Sequence, residues 1–218
     1  MLPLWVAPGI AQATAQDRAR VSPAAPVILV LGDSLSAAYG MAQNEGWVHL
    51  LQERVREAGH PHRVVNASIS GETSAGARQR IDGELARWQP DIVIIELGGN
   101  DGLRGLPLDA LRDNLAALIE ASLDQGARVL LLGMRLPPNY GRYSEDFADV
   151  YTALARRYRI PLLPFLLAGM EDDFTFFQTD GIHPNRRAQG RILDNVWPLL
   201  RPLLEETRRP ADAVEERS

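Results

Sequence analysis

Two short runs, "PVILVLGDS" beginning at Pro26 and "PDIVIIELGGND" beginning at Pro90, are continuously apolar and rich in β-branched residues, and both end in glycine followed by polar residues. An amphipathic strand would alternate apolar and polar positions. Unbroken runs of this length belong to strands covered on both faces, the habit of a parallel sheet. "HRVVNASI" from His62, "ARVLLLGM" from Ala127 and "RIPLLPF" from Arg159 read as three further strands. Between them apolar residues recur at helical spacing: Trp47, Leu50, Leu51 and Val55; Ile81, Leu85 and Trp88; Leu108, Leu111, Leu115, Leu118 and Ile119. Segments 144–158 and 186–204 complete the set. Alternating strand and helix predicts an α/β fold, a parallel sheet with helices on both faces joined by right-handed crossovers. In such a sheet functional groups gather beyond the carboxyl ends of the strands.

With 218 residues, 45% of them hydrophobic, the chain can build one sizeable core and is short for two. One domain is expected over 27–204. The formal charge of −5 and the lack of a basic run argue against nucleic-acid binding, which needs clustered positive charge. The sequence contains no cysteine, which excludes thiol nucleophiles, disulfides and thiolate metal sites. All 23 basic residues are arginine, which excludes Schiff-base chemistry, a P-loop lysine and a serine–lysine dyad. Nucleophilic catalysis in such a chain falls to serine or threonine with histidine.

The strand ends supply candidates. "LGDSLSAAYG" puts Ser34 where the first strand gives way to a loop, with helix N-terminal amides expected nearby. This differs from the G-x-S-x-G elbow, since position 36 is serine. Asp33 or Ser34 could equally cap a helix. "NASISGETSAG" places Gly71 beyond the second strand, where a residue without a side chain lets its N–H approach a ligand. "ELGGND" places the amide donor Asn100 beyond the third; its local alternative is a turn bonded to its own backbone. "TDGIHPN" adds Asp180 and His183, a carboxylate three residues before an imidazole in a loop stiffened by Pro184. As a set they supply a nucleophile, a base held by an acid, and donors for a developing oxyanion.

These blocks, "GDS" at 32–34, Gly71, "GGND" at 98–101 and "DGIHP" at 180–184, resemble in order the four blocks of the GDSL-type SGNH hydrolases. "GMRLPPNYG" at 133–141 and "NDGLRG" at 100–105 are similar to the bacterial branch of thioesterase I, lysophospholipase L1 and arylesterases. The resemblance implies a flavodoxin-like three-layer α/β/α sandwich on a central five-stranded parallel sheet. It also implies a Ser34–His183–Asp180 triad, an oxyanion hole of Ser34, Gly71 and Asn100, and no cofactor. The expected partner is a small-molecule or lipid acyl ester, with no nucleic acid and no stable membrane anchor, the chain acting as a monomer or weak oligomer. Asp33, Leu103, Arg104, Leu106, Pro138, Tyr140 and Ile182 are the expected substrate-binding residues, with the apolar ones lining an acyl groove and Arg104 available to phosphate. A carbohydrate O-acetylesterase and a non-catalytic binding protein are the rival readings.

The other histidines, His49, His60 and His62, lack the spacing of a third ligand, so no metal site is expected. The acidic run at 171–173 reads as a solvated loop. Residues 1–26 read as a signal peptide and N-terminal extension, with an apolar start and alanines at 11, 13 and 15 but no basic n-region, which points to a periplasmic or secreted protein. Residues 205–218 read as a polar tail.

Overall fold

The structure, a computed structural model, describes residues 25–206. The expected leader, apart from its last two residues, and the tail beyond 206 lie outside them. Five strands form one parallel sheet: β1 (Val27–Gly32), β2 (Arg63–Asn66), β3 (Ile92–Glu96), β4 (Arg128–Leu132) and β5 (Leu162–Leu163). Their order is β2-β1-β3-β4-β5, the flavodoxin-like winding in which the chain turns back on itself between β1 and β3. Six α-helices among the described residues surround it: α1 (Trp47–Glu57), α2 (Ser74–Trp88), α3 (Gly99–Leu103), α4 (Leu108–Asp124), α5 (Arg142–Tyr158) and α6 (Arg186–Glu206). Helices α1 and α6 pack together on one side, while α2, α4 and α5 form the opposite layer.

The unbroken apolar runs behave as their composition predicts. Residues Ile28 to Leu31 and Ile92 to Ile95 have no exposed surface, since a helical layer covers each face. The last strand is shorter than "RIPLLPF" implied. Prolines at 161 and 164 lack the N–H a ladder needs, so only Leu162 and Leu163 pair with β4. The run after β3, expected as a loop, forms the short helix α3 with Asn100 in its first turn.

That first turn is anchored from behind. Tyr151 of α5 is buried, packs edge-on against Phe147, and donates its hydroxyl to the Leu97 carbonyl at 2.9 Å. Tyr151→Phe preserves the ring and strands that buried carbonyl, so urea unfolding is expected to show a loss of about 1–3 kcal/mol.

Candidate active site

The ends of β1, β2 and β3 meet at the reversal in strand order, and each delivers one candidate residue there. The β1 register aligns Val30 with Asn66 of β2 and Gly32 with Glu96 of β3, so the loops that follow emerge side by side. Ser34 stands two residues past β1, Gly71 in the loop after β2 and Asn100 on α3 after β3. The loop before α6 contributes the fourth element.

His183 Nε2 lies 3.0 Å from Ser34 Oγ across 149 residues of sequence. The other ring nitrogen, Nδ1, donates to Asp180 Oδ2 at 2.7 Å. With the proton at Nδ1, Nε2 is left as the acceptor facing the hydroxyl. The loop builds this arrangement locally: Asp180 Oδ1 accepts the backbone N–H groups of Ile182 at 2.9 Å and His183 at 3.0 Å. Those two donors, with the imidazole, hold the Asp180 carboxyl down to about 2. It therefore stays ionised beside the ring, and its 39% exposure to water favours the same charged form.

The candidate donors stand at the same strand ends as the hydroxyl. Gly71 has a φ of +79°, a left-handed conformation that glycine adopts without strain. A Cβ there would meet nothing within 4 Å, so the backbone angle, and not crowding, explains the glycine. Its carbonyl accepts from Arg104 Nη2 at 3.2 Å, which ties the loop after β2 to the one after α3. Among the described residues, neither the Gly71 nor the Ser34 N–H donates to a protein group. Asn100 directs one amide proton to Asp33 Oδ2 at 3.0 Å, leaving the second for a ligand. Its partner is thus a neighbouring loop and not its own backbone.

Asp33 departs from expectation. Read as a cap or a substrate-binding residue, it is only 2% exposed and offers a ligand no surface. Its Oδ1 accepts the Leu35 N–H at 3.0 Å, closing the turn that presents Ser34, and its Oδ2 orients Asn100. Burial pushes its carboxyl up to about 6, opposed by the Leu35 and Asn100 donors and by His183. Behind it lies Glu96, the final residue of β3 and fully buried. Glu96 Oε2 accepts the Asp33 N–H at 3.3 Å and the Ser36 hydroxyl at 2.7 Å, while Oε1 has no partner among the described residues. Burial and the nearby Asp33 charge raise the Glu96 carboxyl well above its ordinary range. Sequence reading missed both Glu96 and Ser36. The available signal was an acid closing an otherwise apolar strand.

The remaining expected residues are exposed or half-buried. Ile182 is 51% exposed beside His183, and Leu103, the last residue of α3, and Leu106, on the loop that follows, are exposed. Tyr140 donates its hydroxyl to the Leu103 carbonyl at 3.2 Å, and Tyr143 donates to that of Leu106 at 2.6 Å. Pro138 begins the short 3-10 turn that carries Tyr140. Elsewhere, His49 lies 3.7 Å from Glu53 on α1, and no cluster of three metal-ligating side chains occurs among the described residues.

A family model, the GDSL-like lipase/acylhydrolase family, matches residues 30–191. The chain belongs to that family. It is 53% identical over 182 residues to esterase TesA of Pseudomonas aeruginosa, covering 83% of this chain and 90% of the relative. It is 42% identical over 182 residues to thioesterase 1/protease 1/lysophospholipase L1 of Escherichia coli K12, covering 83% and 86%. A crystal structure of the psychrotrophic esterase EstA from Pseudoalteromonas sp., inhibited by monoethylphosphonate, superimposes with a TM-score of 0.78 at 41% identity, over 82% of this chain and 98% of that one. The expected family, the five-stranded parallel sheet and the flanking helical layers therefore hold for this acylhydrolase.

The buried Glu96 carboxyl makes stability depend on pH. Its folded value stands above its ordinary 4.5, so above that pH the folded state keeps a proton that the unfolded chain releases. Folding stability from this group then falls as pH rises. Glu96→Gln cannot titrate, so its stability relative to the parent is expected to rise from pH 5 to pH 8 in urea unfolding. Parallel pH profiles for the two proteins would exclude a neutral Glu96.

Proposed function

We propose that this acylhydrolase is a serine esterase that hydrolyses carboxylic esters and thioesters through an acyl-enzyme on Ser34. The observation that carries the reading is the 3.0 Å contact between Ser34 Oγ and a His183 ring whose far nitrogen is held by Asp180. In the proposed reaction Oγ attacks the acyl carbon and its proton passes to His183 Nε2. The new imidazolium is stabilised by Asp180 and gives that proton to the departing alkoxide or thiolate. Water, activated by the same nitrogen, then attacks the acyl-enzyme, and Ser34 regains its proton. The oxyanion of each tetrahedral intermediate is received by the N–H groups of Ser34 and Gly71 and the free amide proton of Asn100.

Substrate breadth is part of the same proposal. The relatives' names include an esterase, a thioesterase and a lysophospholipase, and the accessible apolar side chains of Leu103, Leu106, Pro138, Tyr140 and Ile182 suit an acyl chain. Aryl esters, short- to medium-chain acyl esters, acyl-CoA and lysophospholipids are the proposed substrates. Export to the periplasm is also proposed, supported by the apolar N-terminal pattern and tested by cell fractionation. No helix among the described residues is long and apolar enough to cross a membrane.

Asn100→Ala is expected to fold and to lose about 100- to 1000-fold in kcat, the usual effect of removing one oxyanion donor. Ser34→Ala should abolish both turnover and labelling by a fluorophosphonate. A panel of p-nitrophenyl, acyl-CoA, lysophospholipid and acetylated-sugar substrates checks the assignment. Near-parent rates in both variants would overturn the mechanism, and turnover confined to acetylated sugars would overturn the substrate class.

A further inference from the structure

The hydroxyl and the imidazole reach their contact by different means. Ser34 follows a central strand whose backbone is pinned on both sides, whereas Asp180 and His183 ride on the loop between Phe174 and Arg186. That loop has one short bridge of its own, Phe177 paired with Pro184. Nothing in the Asp180–His183 pair fixes where the loop sits relative to β1.

Phe176 and Phe177 pack the start of the loop against the core and Gln189 ties its end to α1, but the direct link to the chain after Ser34 lies just outside the expected motifs. Gln178 Nε2 donates to the Tyr39 carbonyl at 2.8 Å and to the Pro184 carbonyl at 3.1 Å. The Gln178 backbone N–H donates to the His183 carbonyl at 2.8 Å. One amide thus joins the chain after Ser34 to the residue after His183, and the same residue holds His183 itself. The approach is close on the Tyr39 side: Gly40 has a φ of +73°, and a Cβ at that position would lie 2.2 Å from Gln178 Oε1. A side chain at 40 would push the amide away.

Tyr39 adds a second restraint. Its ring lies on the face of the His183 imidazole, centroids 4.3 Å apart and planes tilted by 36°. The ring is 48% exposed and its hydroxyl has no hydrogen bond among the described residues. What it contributes is therefore the ring and not the polar tip. The imidazole is bounded by Asp180 at Nδ1, Ser34 at Nε2 and Tyr39 on one face.

We propose that Gln178 and Tyr39 are positioning residues, a clamp that fixes the His183 loop against the strand end carrying Ser34. The clamp acts on the chemical step and not on substrate affinity, because what its contacts set is the nucleophile–base separation. Displacement of a reacting group by about 1 Å can cost on the order of 100-fold. Gln178→Ala and Tyr39→Ala should each lose roughly 10- to 100-fold in kcat, with KM within about twofold of the parent.

The proposal rests on Ser34 and His183 acting as nucleophile and base, and the test separates the two. Parent, Gln178→Ala, Tyr39→Ala and Tyr39→Phe are compared for kcat and KM on a p-nitrophenyl ester, for the rate of fluorophosphonate labelling, and for thermal midpoint. The expected result is labelling that slows in step with kcat in both alanine variants, unchanged midpoints, and recovery of the lost rate in Tyr39→Phe. A parent that the probe does not label would overturn the Ser34–His183 reading and the clamp with it. A labelled parent whose alanine variants keep its rate, or lose only in KM, would overturn the clamp alone. Should Gln178→Ala fail to fold, Tyr39→Ala decides the matter, since its half-exposed ring is removed without opening the core.

Discussion

A carboxyl group sealed from water holds the centre of this protein in place. Glu96 closes a strand made otherwise of isoleucine and valine, and its one satisfied oxygen gathers the Asp33 N–H and the Ser36 hydroxyl from the loop after β1. That contact joins the ends of two adjacent strands at the reversal in sheet order. A buried polar group tolerates few arrangements, because each lost partner costs the full desolvation of what remains. Fixing Asp33 in turn fixes Asn100, whose amide is oriented by Asp33 Oδ2. One inaccessible acid, through a second, therefore aims a donor at the crevice.

Rigidity is distributed unevenly around that crevice. Ser34, Gly71 and Asn100 follow strands of the sheet, with Tyr151 bracing the last of them from below. His183 and Asp180 come from a surface loop whose internal geometry is well determined by the two backbone donors on Asp180. Its position is set by outside contacts: Phe176 and Phe177 pack against the core, Gln189 links Asn185 to the start of α1, and Gln178 and Tyr39 join it directly to the chain after Ser34. The division is physically sensible for acyl transfer: donors must be preorganised where charge develops, while a base must accept and return a proton on an accessible edge.

The degree to which this was legible in the sequence varied by element. Strands β1 and β3 were plain, because burial on both faces leaves a run of apolar residues with no alternation. The fifth strand was read as too long, since the prolines at 161 and 164 remove ladder donors in a way that apolar content does not register. The short helix α3 was not legible, five residues of glycine-rich sequence being too few for a periodic signal. Asp33, expected as a cap or a ligand contact, is turned inward by burial, which its neighbours in sequence do not register. Glu96, Ser36, Tyr39 and Gln178 were missed because each acts through a partner distant in sequence, and no local spacing marks such a pair.

What the amino-acid sequence determined by itself was the class of fold and the kinds of group available: apolar runs that must be covered on both faces, no thiol, no lysine, and a serine, an asparagine and a histidine at the ends of predicted elements. These follow from composition and period, which are local properties. The tertiary structure alone decided which of those groups meet, at what distance, and which are turned away from solvent. A 3.0 Å contact across 149 residues depends on register, on strand order and on a clamp between two loops, and each of those is a property of packing that no short segment carries.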